Sequence, residues 1–311
     1  MKMNFFKLAF MGVLTAFLAA CASQPETKVV EALPQPKPSY NEKVPTQTVA
    51  QVKGVTCPID NKWEALPWKA ILPLTNACVK SKDWVKVEKM GNFMAKNFSL
   101  TPWGPYYLSL AAEMRHDFPR AVWMLELALK KDPTEGLFHY ELGRVHWQLK
   151  NDRDALEHLK MASELNPSLT DAHWVMGEMA AQKQDYSTAE AMFKKALAND
   201  PKHLPSLLAM ASVKLNQKDW AESESYLNQA LAVNPNGAKV RLSLARVQEE
   251  HLKKLQEALN NYKQLRHLRN EKKLAESVDV NLDEKIQILE KSLAQAPAKD
   301  SRAPSAERVS Q

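Results

Sequence analysis

The sequence predicts an all-α chain, a solenoid of helix-turn-helix pairs repeated along its length, and three observations carry that expectation. Alanine recurs at Ala128, Ala162, Ala196 and Ala230, at one constant interval. Each of these segments closes with Asp-Pro or Asn-Pro, at Pro133, Pro167, Pro201 and Pro235. Only 8 glycines occur among 311 residues, too few for a turn-rich β fold, and the abundance of Ala, Leu, Lys and Glu favours helices. The formal charge of +6 falls to about +4 once Lys2 and Lys7 are set aside. Spread over so long a body, that charge is too dilute to predict nucleic-acid binding, and no nucleic-acid-binding motif accompanies it.

Residues 1–20 read as a targeting leader. MKMNFFK supplies a positive start and LAFMGVLTAF a short apolar run, below the roughly 20 residues a bilayer span needs. LAAC comes next, Leu18 to Cys21. That stretch resembles the lipobox of bacterial lipoproteins, and the resemblance implies that Cys21 is acylated and becomes the N-terminus. Ala22 stands where an aspartate retains many such lipoproteins at the inner membrane. The resemblance therefore implies an outer-membrane anchor with the body facing the periplasm. Several acyl chains, at about 0.8 kcal/mol for each buried CH₂, make such anchoring durable. The alternative is an ordinary secretory leader cleaved near Ala20.

Residues 21–53, which begin with the proposed lipidated cysteine, are proline-rich and poor in bulky apolar residues. Such a stretch cannot bury enough surface to offset its ordering entropy, so it is expected to be a disordered tether with an end-to-end distance of about 30 Å. Cys57 and Cys78 remain as an even pair in an oxidising compartment. A disulfide between them would contribute about 3 kcal/mol on the chain-entropy model. Two separate thiols are the alternative. Residues 54–101 form a degenerate first helical pair, in which the KDW of residues 82–84 aligns with HDF at 116–118, QDY at 184–186 and KDW at 218–220.

Residues 102–237 hold four full repeats starting at Pro102, Gly136, Thr170 and Leu204. Position 7 is Leu108, Leu142, Met176 and Met210; position 8 is Ser109, Gly143, Gly177 and Ala211; position 20 is Ala121, Ala155, Ala189 and Ser223. Small residues mark where two helix axes approach closely, large apolar ones fill the space beside them, and proline ends the second helix. In both its interval and these positions the array closely resembles the tetratricopeptide repeat. Residues 238–271 read as a degenerate fifth repeat that needs about one extra residue to align Ala258 and Tyr262. Residues 272–294 are expected to contain a capping helix with Leu282, Ile286, Leu289 and Leu293 on one stripe, and residues 295–311 a disordered tail.

The family resemblance implies protein binding on a concave face lined by the first helix of each pair. Mapped onto this chain, the lining is Trp103, Tyr106, Leu110 and Met114, then Tyr140, Arg144 and Trp147, then Trp174, Glu178 and Gln182, then Leu208 and Leu215. Aromatic residues and arginine are frequent binding anchors. Trp103 and Trp174 have the packing role as an equal alternative. The positions at which related repeats clamp a chain-terminal carboxylate hold Tyr106, Leu110, Glu141, Asp171 and Val175, which cannot form that clamp. An apolar or aromatic segment, helical in form, suits the groove better.

No phosphate-binding glycine loop, HExxH or GxSxG motif occurs, so no enzyme activity, cofactor or metal is expected. His139 and His173 are expected to be structural. The expected partners are envelope proteins or peptide segments in the groove, and the membrane through the lipid anchor. Lipoproteins of this layout assist assembly of type IV pili and secretion systems. The alternatives are an adaptor of peptidoglycan enzymes or a non-catalytic wall spacer.

Overall fold

The computed structural model describes residues 55–271 and 281–295. The leader, Cys21, the tether, residues 272–280 and the tail from residue 296 lie outside the described residues. Within them the chain is all-α, with no strand. Helices α1 (Trp68–Lys80) and α2 (Trp84–Asn97) make the first pair, α3 (Trp103–Met114) and α4 (Phe118–Lys131) the second, and α5 (Gly136–Gln148) and α6 (Asp152–Leu165) the third. The next pairs are α7 (Thr170–Gln182) with α8 (Tyr186–Asn199) and α9 (Leu204–Asn216) with α10 (Trp220–Val233). Helix α11 (Ala238–Arg246) runs into a π-turn, Val247–His251, before α12 (Leu255–Asn270), and α13 (Leu282–Gln295) packs on α12. Every helix packs against its neighbour in sequence.

The repeated residues explain the repeated geometry. Ala121, Ala128, Ala155, Ala162, Ala189, Ala196 and Ala230 are all fully buried at helix crossings. Gly104 lets α3 lie on α2, because a Cβ there would stand 2.5 Å from the backbone nitrogen of Ala95. Gly177 similarly admits the Phe193 ring, 2.4 Å from where its Cβ would be. Helices α4, α6, α8 and α10 end as the residue before proline leaves the helical conformation: the N–H groups of Asp132, Asn166, Asp200 and Asn234 donate to the carbonyls of Ala128, Ala162, Ala196 and Ala230. The side chains of Asp132, Asn166 and Asp200 then accept the N–H two residues on, at 2.9–3.2 Å.

The turn inside each pair is equally regular. Lys82, His116, Lys150, Gln184 and Lys218 take positive φ near 60°, in step with the alanines. The next such residue is Lys253, which comes one position late. The residue after each of the five caps the second helix. Asp83, Asp117, Asp185 and Asp219 accept the N–H three residues along, whereas Asn151 makes no such bond. Phe118, Tyr186 and Trp220, next in sequence, pack half-buried against the core. The additional residue of the last interval is taken up in the π-turn, which carries Glu249 to Tyr262 Oη at 2.8 Å on α12 and to Lys285 at 2.8 Å on α13.

Ahead of α1, Cys57 and Cys78 are joined as a disulfide. It fastens the segment leading into the short 3₁₀ turn Lys62–Ala65 onto α1, where Cys78 is fully buried.

Candidate docking surface

The first helices α3, α5 and α7 bring the groove residues into two groups. The first surrounds Tyr106. Its ring lies edge-on to Trp103 at 5.6 Å and to Tyr107 at 5.2 Å, and 5.3 Å from Phe138 on the next first helix. Tyr106 is only 3% exposed, so it is a packing residue and not a docking residue. This corrects the expectation from the repeat position. The cause is the ring of Phe138, which reaches across from α5 and, with Trp103, covers the site. Burial, then the carboxylate of Glu141, holds the Tyr106 hydroxyl far above its ordinary range. Trp103 and Leu110 are half-buried in the same cluster, and Met114, at the end of α3, is 49% exposed.

The second group is more open. Tyr140 and Trp147 on α5 and Trp174 on α7 are half-buried over one apolar cluster that includes Val175, Met176 and Met179. Trp174 also meets His203 edge-on at 6.3 Å, and its indole Nε1 is buried with no hydrogen-bond partner among the described residues. Trp174 is thus both a packing ring and part of the surface. Leu208 is half-buried, and Leu215 lies with Trp220 against the cluster of Leu227, Leu231 and Leu244. Gln182 is exposed.

Between the two groups runs an ionic bridge. The Arg144 guanidinium on α5 forks onto Glu113 on α3, with Nη1 to Oε1 at 2.6 Å, and also donates to Glu141 at 2.7 and 2.9 Å. Gln148 adds a donor to Glu113 at 2.9 Å. Burial opposes the charge on Arg144, but the two carboxylates outweigh it and hold the guanidinium protonated still more firmly. Burial pushes the Glu141 carboxyl upward against the pull of Arg144. Glu178, half-buried one repeat further on, is also raised by burial. The i,i+3 pairing of Glu141 with Arg144 is legible in sequence. Glu113 precedes Arg144 by one repeat less one helical turn, and goes unnoticed without the register.

A comparable three-way bridge forms further along the chain. Lys214, 7% exposed, joins Glu190 at 3.0 Å and Glu222 at 2.8 Å, fastening α9 to α8 and α10. Among the described residues no group of three or more His, Cys, Asp or Glu side chains is placed to hold a metal ion, and no helix is long and apolar enough to cross a membrane.

Models of the tetratricopeptide repeat match residues 108–170, 153–203 and 180–247. No curated protein matches the chain in sequence. Among solved structures, the anaphase-promoting-complex hetero-tetramer Cut9–Hcn1 is similar over 70% of this chain, at 16% identity and a TM-score of 0.55. This chain spans 42% of that one. PilF of Pseudomonas aeruginosa is similar over 61% of this chain and 83% of its own, at 18% identity and a TM-score of 0.51. PilW, described as a widely conserved type IV pilus biogenesis factor, is similar over 62% of this chain and 86% of its own, at 21% identity and a TM-score of 0.47. The first two likenesses establish the fold of stacked helical pairs.

Proposed function

From the premise that the chain carries tetratricopeptide repeats, we propose a lipid-anchored periplasmic scaffold of the outer membrane that binds protein partners and assists assembly of an envelope machine such as a type IV pilus or secretion system. The observation that carries the binding role is the half-buried row of Tyr140, Trp147 and Trp174 on successive first helices. Rings held in this way present apolar area with little side-chain entropy left to lose, which favours capture of a short apolar or aromatic segment. The Glu113–Arg144–Glu141 bridge ties α3 to α5 beside the row, so the surface is formed before a partner arrives.

The anchor rests on LAAC at residues 18–21, with Cys21 as the acylated residue. Stacked helical pairs work by holding other proteins, and a tether would let them do so at a membrane.

Two variants test the reading. Changing Tyr140 and Trp147 together to alanine should lower partner crosslinking in intact envelopes about tenfold while helical content is retained. Unchanged crosslinking would remove the docking row from the account. Cys21→Ser should move the protein from the membrane fraction to the soluble periplasm, and continued membrane association would remove the anchor.

A further inference from the structure

Three histidines lie together within the third pair. His139 on α5 and His158 on α6 face each other with their Nδ1 atoms 3.0 Å apart. The His139 ring is 6% exposed, and its Nε2 lies 3.3 Å from the carbonyl oxygen of Pro133. The ring of His146, further along α5, stacks on His158 at 5.8 Å and 10°. The His146 Nδ1 is 3.5 Å from the side-chain amide nitrogen of Asn151.

These contacts fix where the protons are. A carbonyl only accepts, so His139 Nε2 carries a proton, and in the neutral ring Nδ1 holds the lone pair. The bond across the pair therefore runs from His158 Nδ1–H to His139 Nδ1. A first added proton can go to His158 Nε2, which leaves that bond in place and strengthens it by charge. A second has to go to His139 Nδ1. It would then face another N–H at 3.0 Å and place two cations in contact, so the rings must part.

We propose that His139 and His158, with His146 stacked behind them, form a proton-operated latch that holds α5 to α6 when the pair carries at most one proton and releases them when it carries two. The main charges acting on His158 come from the pair of helices itself: His139 and then His146 from α5 discourage its protonation, while Glu157 and Asp154 from α6 encourage it. Charged groups of α4 and α7 are not among the main influences on either ring. Burial, the largest influence on both, holds them below the ordinary histidine range. Helix α5 also bears Tyr140, Arg144 and Trp147, so release would loosen the docking row. The latch itself stands whether or not that row binds a partner.

The experiment is hydrogen exchange of the full chain, read peptide by peptide at pH 7.5 and pH 5.5 and corrected for the intrinsic rate. Peptides of α5 and α6 should open about tenfold more readily at the lower pH, with α9 and α10 unchanged. His158→Asn keeps a neutral N–H donor and should shrink the difference to the part that the burial of His139 alone supplies. An undiminished difference in His158→Asn, or opening spread evenly over all helices, would overturn the latch. Should that variant fail to fold, the imidazole resonances of the unaltered chain decide: the pair should take its second proton at a distinctly lower pH than its first, and two independent ordinary titrations would overturn it. Protection of α5 and α6 that depends on zinc and is lost to a chelator would overturn it too, by assigning the two nitrogens to a metal.

Discussion

Arg144 grips Glu113 with both ends of its guanidinium, although the two residues lie 31 positions apart and on different helical pairs. The same side chain holds Glu141 on its own helix. One cation thus serves two carboxylates whose side chains are each 12% exposed. Changing Arg144 to alanine leaves both without a counter-charge. Urea unfolding at pH 7.5 should show a loss of about 2 kcal/mol, below the figure for a fully buried pair because solvent reaches the site. Adding Glu113→Gln to that variant should restore about half, and strict additivity of the two changes would deny the coupling.

Tyr106 and the Tyr140–Trp147 row should separate cleanly by assay. Tyr106→Ala removes a buried ring touching Trp103, Tyr107 and Phe138, and should cost about 3–5 kcal/mol in thermal or urea unfolding. Tyr140→Ala with Trp147→Ala should cost less stability and more binding.

The two close helix approaches differ in what blocks a side chain. Gly104→Ala drives a methyl onto the backbone of Ala95, which cannot yield without parting α2 from α3, and should destabilise by about 3 kcal/mol. For Gly177→Ala the three atoms nearest the new methyl all belong to the ring of Phe193. Its smaller cost, about 2 kcal/mol, should be largely recovered by adding Phe193→Leu, while no side-chain change should rescue Gly104→Ala. Paired melting curves check both.

Burial raises the Glu178 carboxyl, so ionising it is harder in the folded chain than in the unfolded one. The penalty is complete above its raised folded value and absent below the unfolded value near 4.5. Glu178→Gln should therefore stabilise the chain by about 0.5 kcal/mol at pH 7.5 after allowance for solvent screening, and by nothing near pH 4. Unfolding curves at both pH values give the comparison. A gain that persists at pH 4 would mean the carboxyl charge is not its source.

Much of the fold was legible because small residues and prolines have few substitutes at a crossing or a helix end. Ala128, Ala162, Ala196, Ala230 and the prolines after them stand where the helices cross and stop. The turn between paired helices was legible as the recurring KDW, HDF and QDY, but its conformation was not. Its left-handed residue is Lys82, His116, Lys150, Gln184 or Lys218, never glycine, so the conformation is imposed by the packing of the two helices at a local cost of about 1 kcal/mol each. The proposed docking surface was legible only as positions along a helix. Whether a ring at such a position meets solvent depends on its neighbour one repeat away, as Phe138 shows by covering Tyr106. The histidine latch was divided in sequence between two helices, and only His139 stood at a position the register singled out.

The π-turn at Val247–His251 sets a boundary on how this architecture can grow. Upstream of it, one more unit of the same length could be copied in beside its template and each crossing would find its counterpart. Beyond it the count is off by one, and Glu249 has been turned aside to clasp Tyr262 and Lys285. A duplicate inserted there would meet surfaces already spoken for, so gene-level lengthening of the array should be tolerated in its interior and refused at its carboxyl end.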